Sequence, residues 1–132
     1  MIFLDANFLI ALFINDHKYN KRALRIWGRI KDQKLIISNS IILEVMTVSN
    51  IKIKTPKEVL EKVYARLNSG KLEIIEDIPL YDNTLKRQVS YLPERLSFFD
   101  CLYMELMEHL EIKQIVTFDK HFNNKGIEVI GQ

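Results

Sequence analysis

One cysteine, three prolines and four glycines are all that 132 residues hold of the residue types that staple, break or loosen a chain. A lone cysteine, Cys101, closes no internal disulfide, which points to a reducing compartment, here the cytoplasm. The few glycines form no phosphate-cradling loop, and there is no Gly-x-Ser-x-Gly and no Cys/His zinc spacing. His17, His109 and His121 are too scattered to suggest a metal site by themselves. Long apolar runs are also missing. Phe8 to Ile14 is far shorter than the ~20 residues that span a bilayer. The start has no basic leader and is interrupted by Asp5 and Asn7, so it reads as a buried helix, with no membrane role expected. Repeats, low-complexity tracts and linkers are absent.

What remains is a chain with 48% apolar residues, enough for one domain over residues 1–132 with a real core. Its net charge of +2 hides an asymmetry. Residues 1–71 carry 13 Lys/Arg against 6 Asp/Glu, a balance of +7, and residues 72–132 carry 6 against 11, a balance of −5. A basic half beside an acidic half suits a nucleic-acid ligand lying across a metal site, and equally suits two ordinary solvated helix faces.

Strand and helix patterns alternate. Short apolar runs predict strands at Ile2–Leu4, Leu35–Ser38, Leu72–Ile75, Ile115–Phe118 and Ile127–Ile130. Between them, helices are predicted over Asn7–Ile14, from Asp16 to Lys31, from Ile41 to Ser49 after a Ser40 cap, and from Pro56 to Asn68 behind a Thr55/Glu58 capping box. Two more are predicted over Leu80–Tyr91 and from a Ser97 cap to Glu111, with Pro93 breaking the chain between them. This alternation predicts an α/β fold with a parallel sheet of four or five strands flanked by helices.

Four carboxylates stand out in that frame. Asp5 ends the first strand and Asp119 follows the strongest late one, while Glu44 and Asp100 fall in what reads as the first turn of a helix. Strand ends and helix starts of a parallel sheet converge on one edge, where ligands bind. Clustered carboxylates repel, and a hard divalent cation is their natural neutraliser. Simpler explanations stand beside this one: Asp5 can cap a helix, and Ser97 with Asp100 has capping-box spacing. Glu44 is harder to dismiss, being the only charge between Lys34 and Lys52 in an apolar segment. Thr117 lies two residues before Asp119 on the same predicted strand face, and Asn7 lies two after Asp5, so both are candidate supports. His121 is a candidate ligand or base. Arg22, Arg25, Arg29, Lys52 and Lys54 are candidate phosphate contacts.

Met1-Ile2-Phe3-Leu4-Asp5-Ala6-Asn7, Ser40-x-x-x-Glu44, Leu96-Ser97-Phe98-Phe99-Asp100 and Ile115-Val116-Thr117-Phe118-Asp119 together resemble, in order and rough spacing, the PIN domains, in particular the small VapC-type toxins. The resemblance implies a Mg²⁺- or Mn²⁺-dependent endoribonuclease, commonly dimeric, whose toxin members are blocked by a cognate antitoxin. It implies Asp5, Glu44, Asp100 and Asp119 as the catalytic acids. Of these, Asp5, Asp100 and Asp119 would be the metal ligands, with Asn7 and Thr117 as supports. His121 stands where many relatives have a further acid, and Cys101, Tyr103, Met104 and Glu105 stand where many have small residues. Trp27, Tyr64, Tyr103 and Met107 are candidates for apolar surface at a homodimer contact. Two other readings remain: a PIN-like domain that binds RNA or a partner without cleaving, and a receiver-type Mg²⁺-binding signalling domain.

Overall fold

The computed structural model describes residues 1–131. Five short parallel strands, β1 (Ile2–Leu4), β2 (Leu35–Ser38), β3 (Glu73–Ile75), β4 (Gln114–Val116) and β5 (Glu128–Ile130), form one sheet in the order β3-β2-β1-β4-β5. Six helices connect them: α1 (Ala6–Phe13), α2 (Asn20–Ile30), α3 (Asn39–Ile51), α4 (Lys57–Leu67), α5 (Tyr81–Ser90) and α6 (Phe98–His109). Ile2, Phe3 and Leu4 are all buried. Since neighbours in a strand face opposite ways, β1 is covered on both faces, as a parallel sheet requires. None of the described helices is long and apolar enough to cross a membrane.

This order differs from the 2-1-3-4-5 order of receiver-type domains, which removes the signalling reading. The chain runs outward from β1 through β2 to β3, then returns across the sheet to β4. The direction therefore reverses between β1 and β4, and ligands of open α/β sheets bind outside the carboxyl ends at such a switch point.

Several predicted boundaries move. The second helix starts at Asn20 rather than Asp16, because the Asn20 amide donates to the carbonyls of Ala11 (2.8 Å) and Leu12 (3.3 Å) and pins the chain there. Ser38, not Ser40, stands at the α3 N-cap, which places Glu44 two residues deeper in the helix, in its second turn rather than its first. The Thr55/Glu58 capping box does not form. The Thr55 hydroxyl instead donates to the carbonyl of Ser49 at 2.8 Å, tying the α3–α4 connection, and Pro56 takes the cap position. The Ser97 cap does form, its hydroxyl accepting from the Asp100 amide at 3.0 Å. Tyr103 and Met107 are fully buried rather than exposed, because α6 packs against α5 and Tyr103 rests on Phe3 of β1. Trp27 is partly covered, and Tyr64 is exposed as expected.

A buried acid outside the predicted set also shapes the fold. Asp77 accepts from the Ser40 amide at 3.3 Å, while its own amide donates to Asn39 Oδ1 at 2.8 Å. It supplies from a distant segment the acceptor that an α3 cap side chain does not, where a carboxylate also suits the helix dipole.

Candidate active site

Asp5 is fixed by its place between β1 and α1. One oxygen accepts from the Ala6 amide at 2.8 Å, so the capping explanation holds as far as it goes. The other accepts from the Thr117 hydroxyl at 2.7 Å. That second bond crosses from β1 to the end of β4, and no helix cap requires it. Thr117 Oγ1 also accepts from the Asp119 amide at 3.0 Å, so one buried hydroxyl joins the loops that follow the two central strands. The strand ends at Val116, earlier than expected, which lets Thr117, Phe118 and Asp119 turn around this junction. Asn7 completes it: its amide nitrogen donates to Thr117 Oγ1 at 3.1 Å and its oxygen accepts from the Phe118 amide at 3.1 Å.

Asp100 enters from the first turn of α6 and Asp119 from the turn after β4, with His121 between them. His121 Nδ1 lies 2.9 Å from Asp100 Oδ2 and 3.2 Å from Asp119 Oδ2. Ligand atoms of Asp100, Asp119 and His121 lie within 4.8 Å of one another. Two hard carboxylates and an imidazole that close together form a donor set suited to a divalent cation, Mn²⁺ included. This tight group differs from the expected Asp5, Asp100 and Asp119 set: His121 is inside it and Asp5 stands just outside. Glu44 comes from α3, and its Oε1 accepts from the buried Tyr103 hydroxyl at 2.8 Å.

Asp5, Glu44 and Asp100 each feel the charge of neighbouring acids. Burial raises the Asp5 pKa to about 7; the Thr117 bond opposes the rise, and the charges of Glu44 and Asp100 add to it. Burial also raises Glu44, against the Tyr103 hydrogen bond, and the charges of Asp100 and Asp119 push the same way. Asp100 is raised by burial despite its bond to His121, and His121 is raised chiefly by that same bond. Such mutual repulsion is what a bound cation relieves.

The structure brings the four expected acids within reach of one another's charge, with Thr117 bonded to Asp5 and Asn7 bonded to Thr117. Sequence reasoning gave Tyr103 no part in the site, reading it as surface, and Tyr103 proves to be the buried donor to Glu44. Of the candidate phosphate contacts, the Arg22 guanidinium lies over the Phe118 ring, 5.2 Å from its centroid, and Lys52 lines a cavity beside the acids. Arg25 and Arg29 continue outward on the exposed side of α2, and Lys54 is exposed near a neighbouring hollow.

An open parallel sheet with acids gathered at its switch point is the kind of domain that does its chemistry at the carboxyl edge. The chain belongs to the PIN domain family, whose model matches residues 2–128. Its fold resembles that of VapC20 of Mycobacterium tuberculosis, a sarcin–ricin loop cleaving toxin, at 21% identity and a TM-score of 0.88 over 100% of both chains. A toxin–antitoxin complex from Klebsiella pneumoniae is similar at 20% identity and a TM-score of 0.63, covering 98% of this chain and 96% of that one. VapBC2 from Rickettsia felis, bound to a DNA fragment from its promoter, is similar at 15% identity and a TM-score of 0.68, over 98% of both chains. No curated protein sequence matches.

Proposed function

We propose that this protein is a Mg²⁺- or Mn²⁺-dependent endoribonuclease of the VapC type, the toxin of a toxin–antitoxin pair, acting in the cytoplasm. The observation that carries the reading is the Thr117 junction. It brings Asp5 and Asp119, 114 positions apart, to one electrostatic cluster with Glu44 and Asp100. The similar folds of toxins and toxin–antitoxin complexes support the biological role.

Asp100, Asp119 and His121 would hold the cation, with Asp5 as a further carboxylate beside them. When bound, the ion supplies a Lewis acid for the phosphate oxygens and lowers the pKa of a coordinated water. Glu44 stands outside the tight group, and its raised proton affinity suits it to take a proton from an attacking water. Tyr103 orients that carboxylate. Thr117 and Asn7 hold Asp5 and the Asp119 turn in place, so their effect on chemistry is positional.

Association as a homodimer is part of the proposal. Ile78, Leu85, Val89 and Leu92 form an exposed apolar stripe along α5 and its flanks, at the spacing of one helix face. The test of the activity is direct. Purified protein is incubated with mixed RNAs in Mn²⁺ and in EDTA. RNA fragments that appear only with Mn²⁺, and are lost in Asp119→Asn, support the reading. Intact RNA in both conditions overturns it.

A further inference from the structure

A cavity of about 710 Å³ opens directly beside the acids, and Asp119 and His121 form part of its wall. Its aromatic wall is of a different character. Tyr19 and Phe118 stand there with ring centroids 5.1 Å apart and planes tilted by 49°. Lys18, Lys52 and Lys120 line the same cavity. The Lys18 ammonium lies 4.9 Å from the Tyr19 centroid, and the Arg22 guanidinium covers Phe118. Tyr19 is 37% exposed, although Ile10 of the same cavity wall and Phe8, which packs against Phe118, are buried. An exposed Tyr19 beside a half-buried Phe118, with Lys18 and Arg22 on their rings and Lys52 and Lys120 in the same cavity wall, is well matched to a nucleotide. Each base offers a π-face to the rings, and its phosphate offers charge to the lysines.

We propose that this cavity is a nucleotide subsite, in which the base next to the cleaved phosphodiester stacks on Tyr19 and Phe118. The proposal rests on the ribonuclease reading and specifies its substrate: a single strand, or a loop with an unstacked base. Three features favour RNA over a protein segment as the occupant. The cavity is continuous with the acid site, so a strand whose phosphate reaches Asp119 has its next nucleotide here. Two cations, Lys18 and Arg22, lie on the ring faces of Tyr19 and Phe118, where an anionic strand meets them, although Ile10, Val48 and Ile53 also line the cavity. Arg22, Arg25 and Arg29 follow one another on α2 at i, i+3 and i+7, giving a cationic ridge that leads away from Phe118 along a strand's path. Asn7 links the two halves of the site. It bonds the Thr117 hydroxyl that holds Asp5, and it accepts from the amide of Phe118. Tyr19 is a binding residue in this scheme; it takes no proton and touches no reacting atom.

The test uses Tyr19→Leu, which keeps apolar bulk and loses the ring, and Tyr19→Trp, which restores a ring. Binding of a labelled single-stranded RNA and of the same sequence as a duplex is followed by fluorescence anisotropy in EDTA at low salt, and KM and kcat are measured in Mn²⁺. Loss of one stacked base weakens single-strand binding and raises KM by roughly 5- to 150-fold, the scale of ~1–3 kcal/mol per base. Duplex binding and kcat stay close to wild type, and Tyr19→Trp recovers the loss. If Tyr19→Leu matches wild type in affinity and KM while wild type cleaves RNA, the subsite is overturned and the ribonuclease reading stands. Equal losses for duplex and single strand also overturn it, since charge alone then explains binding. A wild type that neither binds nor cleaves RNA overturns both. Tight binding of an antitoxin peptide that is lost in Tyr19→Leu, with RNA binding unchanged, would give the cavity to a protein partner instead.

Discussion

At the carboxyl edge of the sheet, Asp5 and Asp100 are buried although ionisable; along α5, Ile78, Leu85, Val89 and Leu92 stand in solvent although apolar. Each region departs from the ordinary sorting of side chains, in opposite directions. Burying charge raises the proton affinity of Asp5, Glu44 and Asp100 and makes them repel one another, which favours a cation. Exposing apolar area leaves surface that a second protein surface can cover. The two regions share a border. On α6, Asp100 faces the acids, whereas Glu105 takes the Arg87 guanidinium of α5 at 2.7 Å, with Glu108 also contacting Arg87. An acid paired with a guanidinium therefore lies within two helical turns of acids held by a hydroxyl, an amide or an imidazole and pressed by one another's charge. The difference separates acids that serve the fold from acids the fold tolerates.

The comparison breaks most sharply at Asp119. Asp119→Asn is nearly isosteric and should leave the fold intact. It should cut Mn²⁺-dependent RNA cleavage by roughly 10²- to 10³-fold, the scale of losing one group that stabilises developing charge. Arg87→Met, which removes the cation from the paired acids of the other region, should change cleavage little and act on thermal stability instead. Similar cleavage losses in both variants would erase the distinction.

The apolar region is tested by Leu85→Glu with Val89→Glu. Both side chains are exposed, so monomer stability should move by no more than about 0.5 kcal/mol, as for ordinary surface changes. Self-association should weaken by ~30-fold or more, because two charges would have to be desolvated in the contact. Light scattering across the micromolar range reads the change. A wild type that is already monomeric at high micromolar concentration removes the dimer from the proposal.

Stability against pH sharpens the comparison at the acidic edge. In the unfolded chain an Asp ionises near 3.8, whereas folded Asp5 keeps its proton until about pH 7. The folded state thus binds the extra proton, and its stability falls as pH rises between those values. Glu44 and Asp100, also raised, push the same way. His121 does too: its raised pKa contributes stability below its unfolded value near 6.5, and this is lost as pH climbs through the folded one. In EDTA, the protein should lose about 2 kcal/mol between pH 5.5 and 7 from Asp5 alone, at ~1.4 kcal/mol per unit. Asp5→Asn should flatten that slope, and Mn²⁺ should stabilise wild type most at the higher pH, since binding displaces those protons. Urea melts at pH 5.5 and 8, with EDTA or Mn²⁺, report all of this. A metal-free protein that grows more stable toward pH 8 contradicts the account.

How far the sequence foretold these regions depended on whether the signal was local. Asp5 could be placed because Ile2, Phe3 and Leu4 mark a buried strand just before it. Ser97 and Asp100 could be placed because a cap and a first-turn acid are a short-range pattern. The Thr117 junction could be suspected from spacing alone, though its bond to Asp5 spans 112 positions. The Tyr19 and Phe118 pair was not legible. Tyr19 fits the apolar stripe of a helix starting at Asp16, and only the distant pinning of Asn20 to α1 leaves it outside α2. Phe118 read as the last residue of a strand that in fact ends two residues earlier. The α5 stripe was missed because Leu85 and Val89 look like core residues until α6 is seen to fill that core with Tyr103, Met104 and Met107.

Tyr103 yields the smallest expected effect. Its ring is buried between Phe3 and Phe99, with centroids 5.3 Å and 6.3 Å away, which any apolar side chain of that shape could satisfy. Its hydroxyl does what packing cannot: it donates to Glu44 and opposes the burial that raises that carboxyl. Burial and the Glu44 charge hold the phenol protonated far above its usual range, so it acts as a donor at any working pH. Tyr103→Phe should cost about 1 kcal/mol of stability, the net worth of a typical hydrogen bond. It should also push the Glu44 pKa higher, moving the acid limb of the pH–rate profile upward while leaving the maximal rate within a few-fold of wild type. A lost kcal/mol with an unmoved acid limb would make Tyr103 a core residue alone and Glu44 a poor candidate for the base. A moved limb joins the core to the chemistry through the bond by which α6 reaches across to α3.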